Sequence, residues 1–308
     1  MIHIIILNYK PDFNDGRVSR VSSLVDYLAD KNKIINIYSL SGESNISQNG
    51  NVKHFQIKYP GLGFISLNKV TGKELSARAK LTKYISKILY PDRYVLGSIL
   101  IYKKLSKELS DNDTIFISVP WFSILFLLFF RLKKYINIKI IIDYRDLWID
   151  NIAFSRGRIK NLLSKKLEEL ILKKADIVSA TTTPACNYFE SKGVNCILVQ
   201  NGITSHESKA VEKLSPKPTN TKNPVIGYFG NLGGERDCVS IIQSILAANI
   251  SLMVYGKIDL RHSIACGKCY HGAVSKEVAL INSSNCDVLL ITINKNENSD
   301  FAIPGKIY

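Results

Sequence analysis

Residues Ile138 to Asp150 read IKIIIDYRDLWID. Ile138 to Ile142 form a β-branched apolar run broken only by Lys139, and Asp143, Tyr144, Arg145, Asp146 and Trp148 follow at once. A buried parallel strand looks like this where it delivers charged side chains to the carboxyl edge of a sheet. In open α/β sheets that edge is where ligands bind. The competing reading is a strand end whose Arg145 and Asp146 pair with each other on the surface, a contact of little energetic weight.

On both sides of this stretch strand-like runs alternate with helical patterns, as in a parallel α/β sheet. Ile2 to Leu7 reads as a first strand, followed by the polar loop NYKPDFNDGR. Val18, Val21, Leu24, Val25 and Leu28 then fall on one face of a helix over about Val18 to Asp30. Ile34 to Leu40, Val52 to Tyr59 and Thr114 to Val119 read as further strands. Gly157 to Lys174 reads as an amphipathic helix with Leu162, Leu163, Leu167, Leu170 and Ile171 facing inward. Strand Asp176 to Ala180, helix Ala185 to Lys192 and strand Cys196 to Val199 complete the series, which ends in the turn chemistry of Asn201-Gly202.

Thr204 to Asn223 is polar, carries Pro216 and Pro218, and has no periodicity, so it reads as an interdomain linker. It separates a domain over 1–203 from a second over 224–308. The second begins afresh with strand Val225 to Phe229, the loop GNLGGERD, helix Val239 to Ala248 and strand Leu252 to Tyr255. Helix Lys276 to Ser284 and strand Asp287 to Ile293 follow. The fold class is therefore α/β with two Rossmann-like domains. Pro304 suits the first turn of a helix, yet the chain ends four residues later at Tyr308. The expectation is that the second domain is incomplete.

Composition bounds the function. At 308 residues, with 46% hydrophobic and 22% charged residues, the chain has the make-up of a folded protein with an ample core. A net charge of +15 and a pI near 9.4 predict attraction to something anionic. MIHIIILNYK has no basic region ahead of its apolar run and no small-residue cleavage site, so it reads as a strand and not a signal peptide. The run Val119 to Phe130 (VPWFSILFLLFF) covers ~18 Å as a helix against ~30 Å of hydrocarbon, which favours a buried or interfacial helix over a transmembrane one.

Lys69 to Leu109 reads as a long basic helical region interrupted at Pro91. With the neighbouring apolar run it fits a surface that rests on anionic lipid headgroups, although most charge runs are merely solvated faces. The basic residues lie beside that apolar run and no RNA- or DNA-binding module is recognisable, so no nucleic-acid partner is expected. The six cysteines read as reduced thiols. Cys266-Gly-Lys-Cys269 lacks the second pair or the histidines that a zinc site needs, and no metal is expected.

Three segments carry candidate chemistry. Gly230-Asn231-Leu232-Gly233-Gly234-Glu235-Arg236-Asp237 lies between a strand and a helix, where glycines let backbone N–H groups approach a phosphate and Arg236 can neutralise it. Its spacing matches neither the dinucleotide fingerprint nor the Walker loop, so a tight strand–helix turn is an equal reading. Asp15-Gly16-Arg17 fills the equivalent place after the first strand. Two such loops, one per domain, would hold one diphosphate across a cleft. His271 has no partner at ligand spacing and reads as a cleft-edge or packing histidine.

In their order and spacing these segments resemble the retaining glycosyltransferases of GT-B architecture, in particular the large family-four group of bacterial polysaccharide and lipopolysaccharide enzymes. The carriers are PDFNDGRVSR, IIIDYRDLW, ADIVSATTTPACNYFESKGVNCILVQNGI, VIGYFGNLGGERD, YHGAVSKEVALINSSNCDVLLI and IPGKIY. The resemblance implies a nucleotide-sugar donor as co-substrate, no metal or other cofactor, and a lipid-linked or glycan acceptor in cell-envelope biosynthesis. It implies a cytoplasmic enzyme, peripheral on the inner membrane face.

The same resemblance assigns roles. Gly16 and Arg17 would approach the diphosphate and sugar, with Gly230, Asn231, Gly233 and Arg236 on the phosphates. The family often carries an Arg where Asn231 stands. His271, Gly272 and Val274 would line the base, and Pro304, Gly305 and Lys306 would close the donor site. Arg145 and Asp146 match a position near the transferred sugar where many relatives carry His-Asp. In the mechanism this implies, the leaving diphosphate takes the acceptor proton while the protein supplies positioning and electrostatics. The family continues beyond PGKIY with a ribose-binding Glu and a last βα unit, and no residue matches its earlier carboxylate, Glu297 and Asp300 being out of step. The alternative is a truncated, catalytically impaired nucleotide- or membrane-binding module.

Overall fold

An eight-stranded sheet forms the first unit of the chain, and the segment around Ile140 lies inside it. The computed structural model describes residues 1–9, 16–59, 89–92, 94–130, 137–149, 158–202, 208–209, 212–214, 222–233 and 237–292, with backbone alone at 16–19 and 158. The chain divides between Gln200 and Asn201 into two units. In the first, the strands are β1 (Ile2–Ile5), β2 (Ile35–Ser41), β3 (Asn45–Asn49), β4 (Val52–Lys58), β5 (Thr114–Val119), β6 (Lys139–Tyr144), β7 (Ile177–Ala180) and β8 (Cys196–Leu198). The helices are α1 (Gly16–Asp30), α2 (Val95–Glu108), α3 (Arg158–Leu172) and α4 (Thr183–Glu190).

The strand order is β3-β4-β2-β1-β5-β6-β7-β8, parallel throughout except where β3 runs antiparallel to β4. The order reverses direction between β1 and β5, which opens a crevice at their carboxyl ends. Alternation along each strand sorts the core onto two faces. Ile4, Ile6, Ile35 and Ile37 pack with Val21 and Val25 of α1. Ile5, Leu7, Tyr38 and Leu40 join the larger cluster on the other face, which also takes Ile142 and Tyr144 of β6.

The apolar run is core. Phe122–Phe129 forms a 3-10 helix in which Phe122, Ile124, Leu125, Leu127 and Leu128 are buried. Each such side chain contributes roughly 1.5–3 kcal/mol by leaving water. Phe122 stacks on Trp148 at 5.0 Å and 2°, tying the run to the end of the opening segment. Of the basic region, Lys69 to Lys87 and Arg93 lie outside the described residues. Among the described residues no helix is long and apolar enough to cross a membrane.

One expectation is corrected, and two elements were not expected. Leu162, Leu163 and Leu170 of α3 are exposed. The helix instead buries Ser164, Glu168, Ile171 and Leu172, because the polar pair has partners from afar: Tyr90 bonds Ser164, and Tyr188 Oη donates to Glu168 Oε2 at 2.7 Å. Strand β3, with sequence NISQN, is wholly exposed and carries no alternation to reveal it. In the second unit a short helix over Leu260–Cys266 was not expected.

The second unit has a three-stranded parallel sheet, β9 (Val225–Phe229), β10 (Ser251–Tyr255) and β11 (Val288–Leu289), in the order β10-β9-β11. Its helices are α5 (Val239–Ala247), α6 (Leu260–Cys266) and α7 (Lys276–Ser284). Ser275 caps α7 by accepting from Val278 N, and Glu277 in the first turn complements the helix dipole.

Two buried histidines make the first unit acid-sensitive. His54 shares a 2.8 Å hydrogen bond with Ser39 Oγ and packs edge-on against Tyr9, and burial lowers its pKa to about 4. Burial also lowers the pKa of His3, against the opposing pull of Asp113 at 3.0 Å. His54 stays neutral in the fold down to about pH 4 while the unfolded chain takes up protons near pH 6.5, and His3 is shifted in the same direction. Stability is therefore full above pH 6.5 and falls as the pH drops toward 4, by up to about 3 kcal/mol for His54. Urea titrations between pH 7.5 and 4.5 are expected to show this slope, and His54→Gln to reduce it. An unchanged slope in the variant would remove His54 as its source.

Candidate functional site

The strand that opened the sequence reading ends in a buried ion-pair network. Sheet register places Ser118, Asp143 and Ser179 side by side on β5, β6 and β7. Asp143 is fully buried and accepts from Ser118 Oγ at 3.0 Å and Ser179 Oγ at 2.8 Å. Arg20 of α1 adds Nη2 at 2.8 Å and Nε at 3.2 Å, and sends Nη1 to the Gln200 carbonyl at 2.9 Å. Ile142 and Tyr144 face the opposite side of the sheet, so alternation aims Asp143 at α1. Asp143 of this segment thus pairs with Arg20. Asp143 belongs to the interior and not to the charged edge, where the sequence reading placed it.

Arg145 and Asp146 follow directly, half-buried at the carboxyl edge. Arg145 Nε donates to the Val119 carbonyl at 2.9 Å, which ties the base of its guanidinium to the end of β5 beside the crevice. Thr181 Oγ1 donates to the Arg145 carbonyl at 3.4 Å. On the same rim Trp121 has φ 107°, a left-handed backbone that a bulky side chain adopts only under strain. It packs edge-on against Tyr94 at 4.7 Å. Periodicity carries no signal for that strain, and the sequence reading counted Trp121 only as part of the apolar run. Gly16 and Arg17 open α1 after β1, hence at this same edge; their side chains lie outside the described residues.

In the second unit three loops meet at the carboxyl edge through their backbones. Gly230 N donates to Tyr255 O at 2.8 Å, Gly256 N to Gly272 O at 2.8 Å, and His271 N to Val254 O at 2.9 Å. Gly230, Gly233, Gly256 and Gly272 all have positive φ. A Cβ on Gly256 would lie 2.0 Å from the Gly230 carbonyl oxygen, so the two loops touch with no room for a side chain. Asn231 is exposed and its Oδ1 accepts from Lys257 N at 3.4 Å. Phe229, Tyr255 and His271 form a column of rings, 5.1 Å and 5° apart, then 4.9 Å and 20°. The exposed His271 ends that column, and Gly272 and the exposed Val274 follow it in the same loop. Arg236, Glu297, Asp300, Pro304, Gly305 and Lys306 lie outside the described residues.

One buried knot was missed. His262 takes a 3.3 Å hydrogen bond on Nε2 from Cys238 N, which leaves the proton on Nδ1 for Asp259 Oδ1 at 2.7 Å. Asp259 caps α6, and hydrogen bonds from the His262 backbone and ring hold its carboxyl below the ordinary value. Asp237 pairs with Arg261, which lowers its carboxyl likewise. These contacts fasten the far end of the glycine loop to α6. The Asp259-x-x-His262 spacing is a helix-cap signal, but seven residues are too few for periodicity to confirm a helix. Among the described residues no cluster of His, Cys, Asp and Glu is arranged to hold a metal.

No protein-family profile and no curated protein sequence matches the chain. Solved structures do. A structure described as trehalose-6-phosphate from E. coli bound with UDP-2-fluoro glucose superposes with a TM-score of 0.61 at 12% identity, over 96% of this chain and 78% of that one. An α,α-trehalose-phosphate synthase (UDP-forming) from Burkholderia vietnamiensis gives 0.63 at 11%, over 96% and 79%. The catalytic domain of starch synthase IV from Arabidopsis thaliana, bound to ADP and acarbose, gives 0.57 at 12%, over 94% and 77%. The chain therefore has the α/β fold of the GT-B glycosyltransferases, with a parallel sheet in each unit.

Proposed function

We propose that the chain is a retaining glycosyltransferase that moves a sugar from a nucleotide-sugar donor to a lipid-linked or glycan acceptor in cell-envelope polysaccharide synthesis, at the cytoplasmic face of the membrane. The observation that carries the donor reading is the glycine-lined edge of β9 and β10. Backbones packed this closely leave N–H groups and helix ends, and not side chains, to meet a diphosphate. Arg236 and Lys306 add positive charge in sequence, and the exposed face of His271 suits a nucleotide base. Two of the structures that share the fold were solved with UDP-2-fluoro glucose and with ADP.

For the chemistry, Arg145 is the cation set at the carboxyl edge of the first unit, with Asp146 beside it. A guanidinium stabilises the diphosphate as the glycosidic bond breaks, and the departing oxygen receives the acceptor proton. No metal is needed for that step. The basic balance of the chain favours an acceptor held near anionic lipid.

Titration of the purified protein with UDP and GDP, followed by hydrolysis assays with the matching nucleotide-sugars, tests the reading. Micromolar binding of one nucleotide with slow donor hydrolysis is expected. Arg145→Ala should lower turnover about 100-fold with the donor KM nearly unchanged, and Arg145→Lys should restore part of it. Neither binding nor turnover with any nucleotide-sugar would overturn the proposal.

A further inference from the structure

A cavity of about 920 Å³ lies between the β3–β4 edge of the first sheet and helix α2, and none of the candidate site residues lines it. Leu100, Lys103, Lys104 and Lys107 line it from α2 at i, i+3, i+4 and i+7, one face of the helix. Its sheet side offers Ile46, Phe55 and Ile57. The result is an apolar floor under a rim of three ammonium groups. Lys104 Nζ lies 4.4 Å from the Phe55 ring centroid, and Lys53 Nζ lies 4.9 Å from that same ring. Glu108 lies 3.4 Å from Lys104 and offsets part of this charge. Like charges gathered over apolar surface are complementary to an amphiphile with an anionic head.

We propose that this groove binds one anionic phospholipid from the membrane surface, with its phosphate on Lys103, Lys104 and Lys107 and the start of an acyl chain on Ile46, Ile57 and Leu100. The inference rests on the reading that the acceptor is membrane-borne, and it gives that reading a location. The apolar run once paired with the basic region is packed inside the core, whereas Ile46 is 57% exposed. Exposed leucines and lysines also meet on the outer face of α3, but in the groove they line a cavity deep enough to take a head group and the start of a chain.

Co-sedimentation of the full chain with vesicles tests it. Phosphatidylcholine vesicles with and without about one-third phosphatidylglycerol should separate, with binding only to the anionic set. Lys103→Gln/Lys107→Gln should weaken that binding about tenfold or more, as should Ile46→Asn. The double change Lys31→Gln/Lys33→Gln, on exposed positions between α1 and β2, should leave it nearly intact. Equal loss from both double variants would assign the effect to net charge and overturn the groove, as would equal binding to both vesicle types. Nucleotide-sugar hydrolysis in solution, measured on the same proteins, judges the transferase reading separately. Hydrolysis without lipid binding removes the groove alone, and lipid binding without hydrolysis removes the transferase.

Discussion

Replacing Arg20 by Met is expected to lower the stability of the first unit by about 3–5 kcal/mol, roughly a 10 °C fall in melting temperature for a unit of this size. The reason is what it leaves behind. Asp143 is fully buried, and without the guanidinium its charge keeps, among the described residues, the two serine hydroxyls. Removing one partner of a buried pair strands the other in a medium that solvates it poorly. Asp143→Asn should cost less, since Arg20 keeps 13% side-chain exposure and its bond to the Gln200 carbonyl. The double variant should lose less than the sum of the two, and thermal melts of all four proteins measure that coupling. A loss below about 1 kcal/mol for Arg20→Met would mean that water reaches Asp143 and that the network is not a strut of the fold.

The second large effect belongs to Gly256→Ala. A Cβ there meets the Gly230 carbonyl oxygen at 2.0 Å and its carbon at 2.5 Å, both backbone atoms that no side-chain rotation can move aside. The backbone φ of 132° adds strain of about 1–3 kcal/mol for any residue with a side chain. The two loops must part, so a loss of more than about 3 kcal/mol from the second unit is expected, together with loss of nucleotide binding. Gly267→Ala is the control in the same unit. It also has positive φ, at 52°, but nothing lies within 4 Å of its Cβ, so the backbone strain alone, about 1–3 kcal/mol, is at stake. Calorimetry with nucleotide titration on both variants separates the cases. Similar losses in the two would mean that left-handed backbone, and not loop contact, governs this edge.

Most of the sheet was legible from side-chain chemistry. Thr114–Val119, Val225–Phe229 and Lys276–Ser284 have the expected bounds, because β-branched runs and a Ser cap mark them locally. What escaped depended on residues far apart. Strand β3 has Ile46 as its one apolar side chain and exists through its pairing with β4. The inward face of α3 was misjudged because leucines on two sides compete, and tyrosines from elsewhere decide for Ser164 and Glu168. In the candidate site, Arg145 could be picked out as a charge after a buried strand. The true partner of Asp143 could not, since Arg20 lies 123 residues away and only the sheet brings them together. The meeting of Gly230, Gly256 and Gly272 is likewise a property of parallel pairing, invisible in the spacing of one loop.

The chain has two tryptophans, and both sit in the first unit: Trp148, buried against Phe122, and Trp121 on the rim beside the crevice. Ultraviolet emission excited at the indole band is thus a local instrument. It follows the Arg20 and Asp143 variants faithfully, and it passes over the melting of the glycine-lined unit, whose aromatic reporters are tyrosine and phenylalanine. Unchanged emission in a Gly256 variant therefore carries no information about the glycine-lined unit.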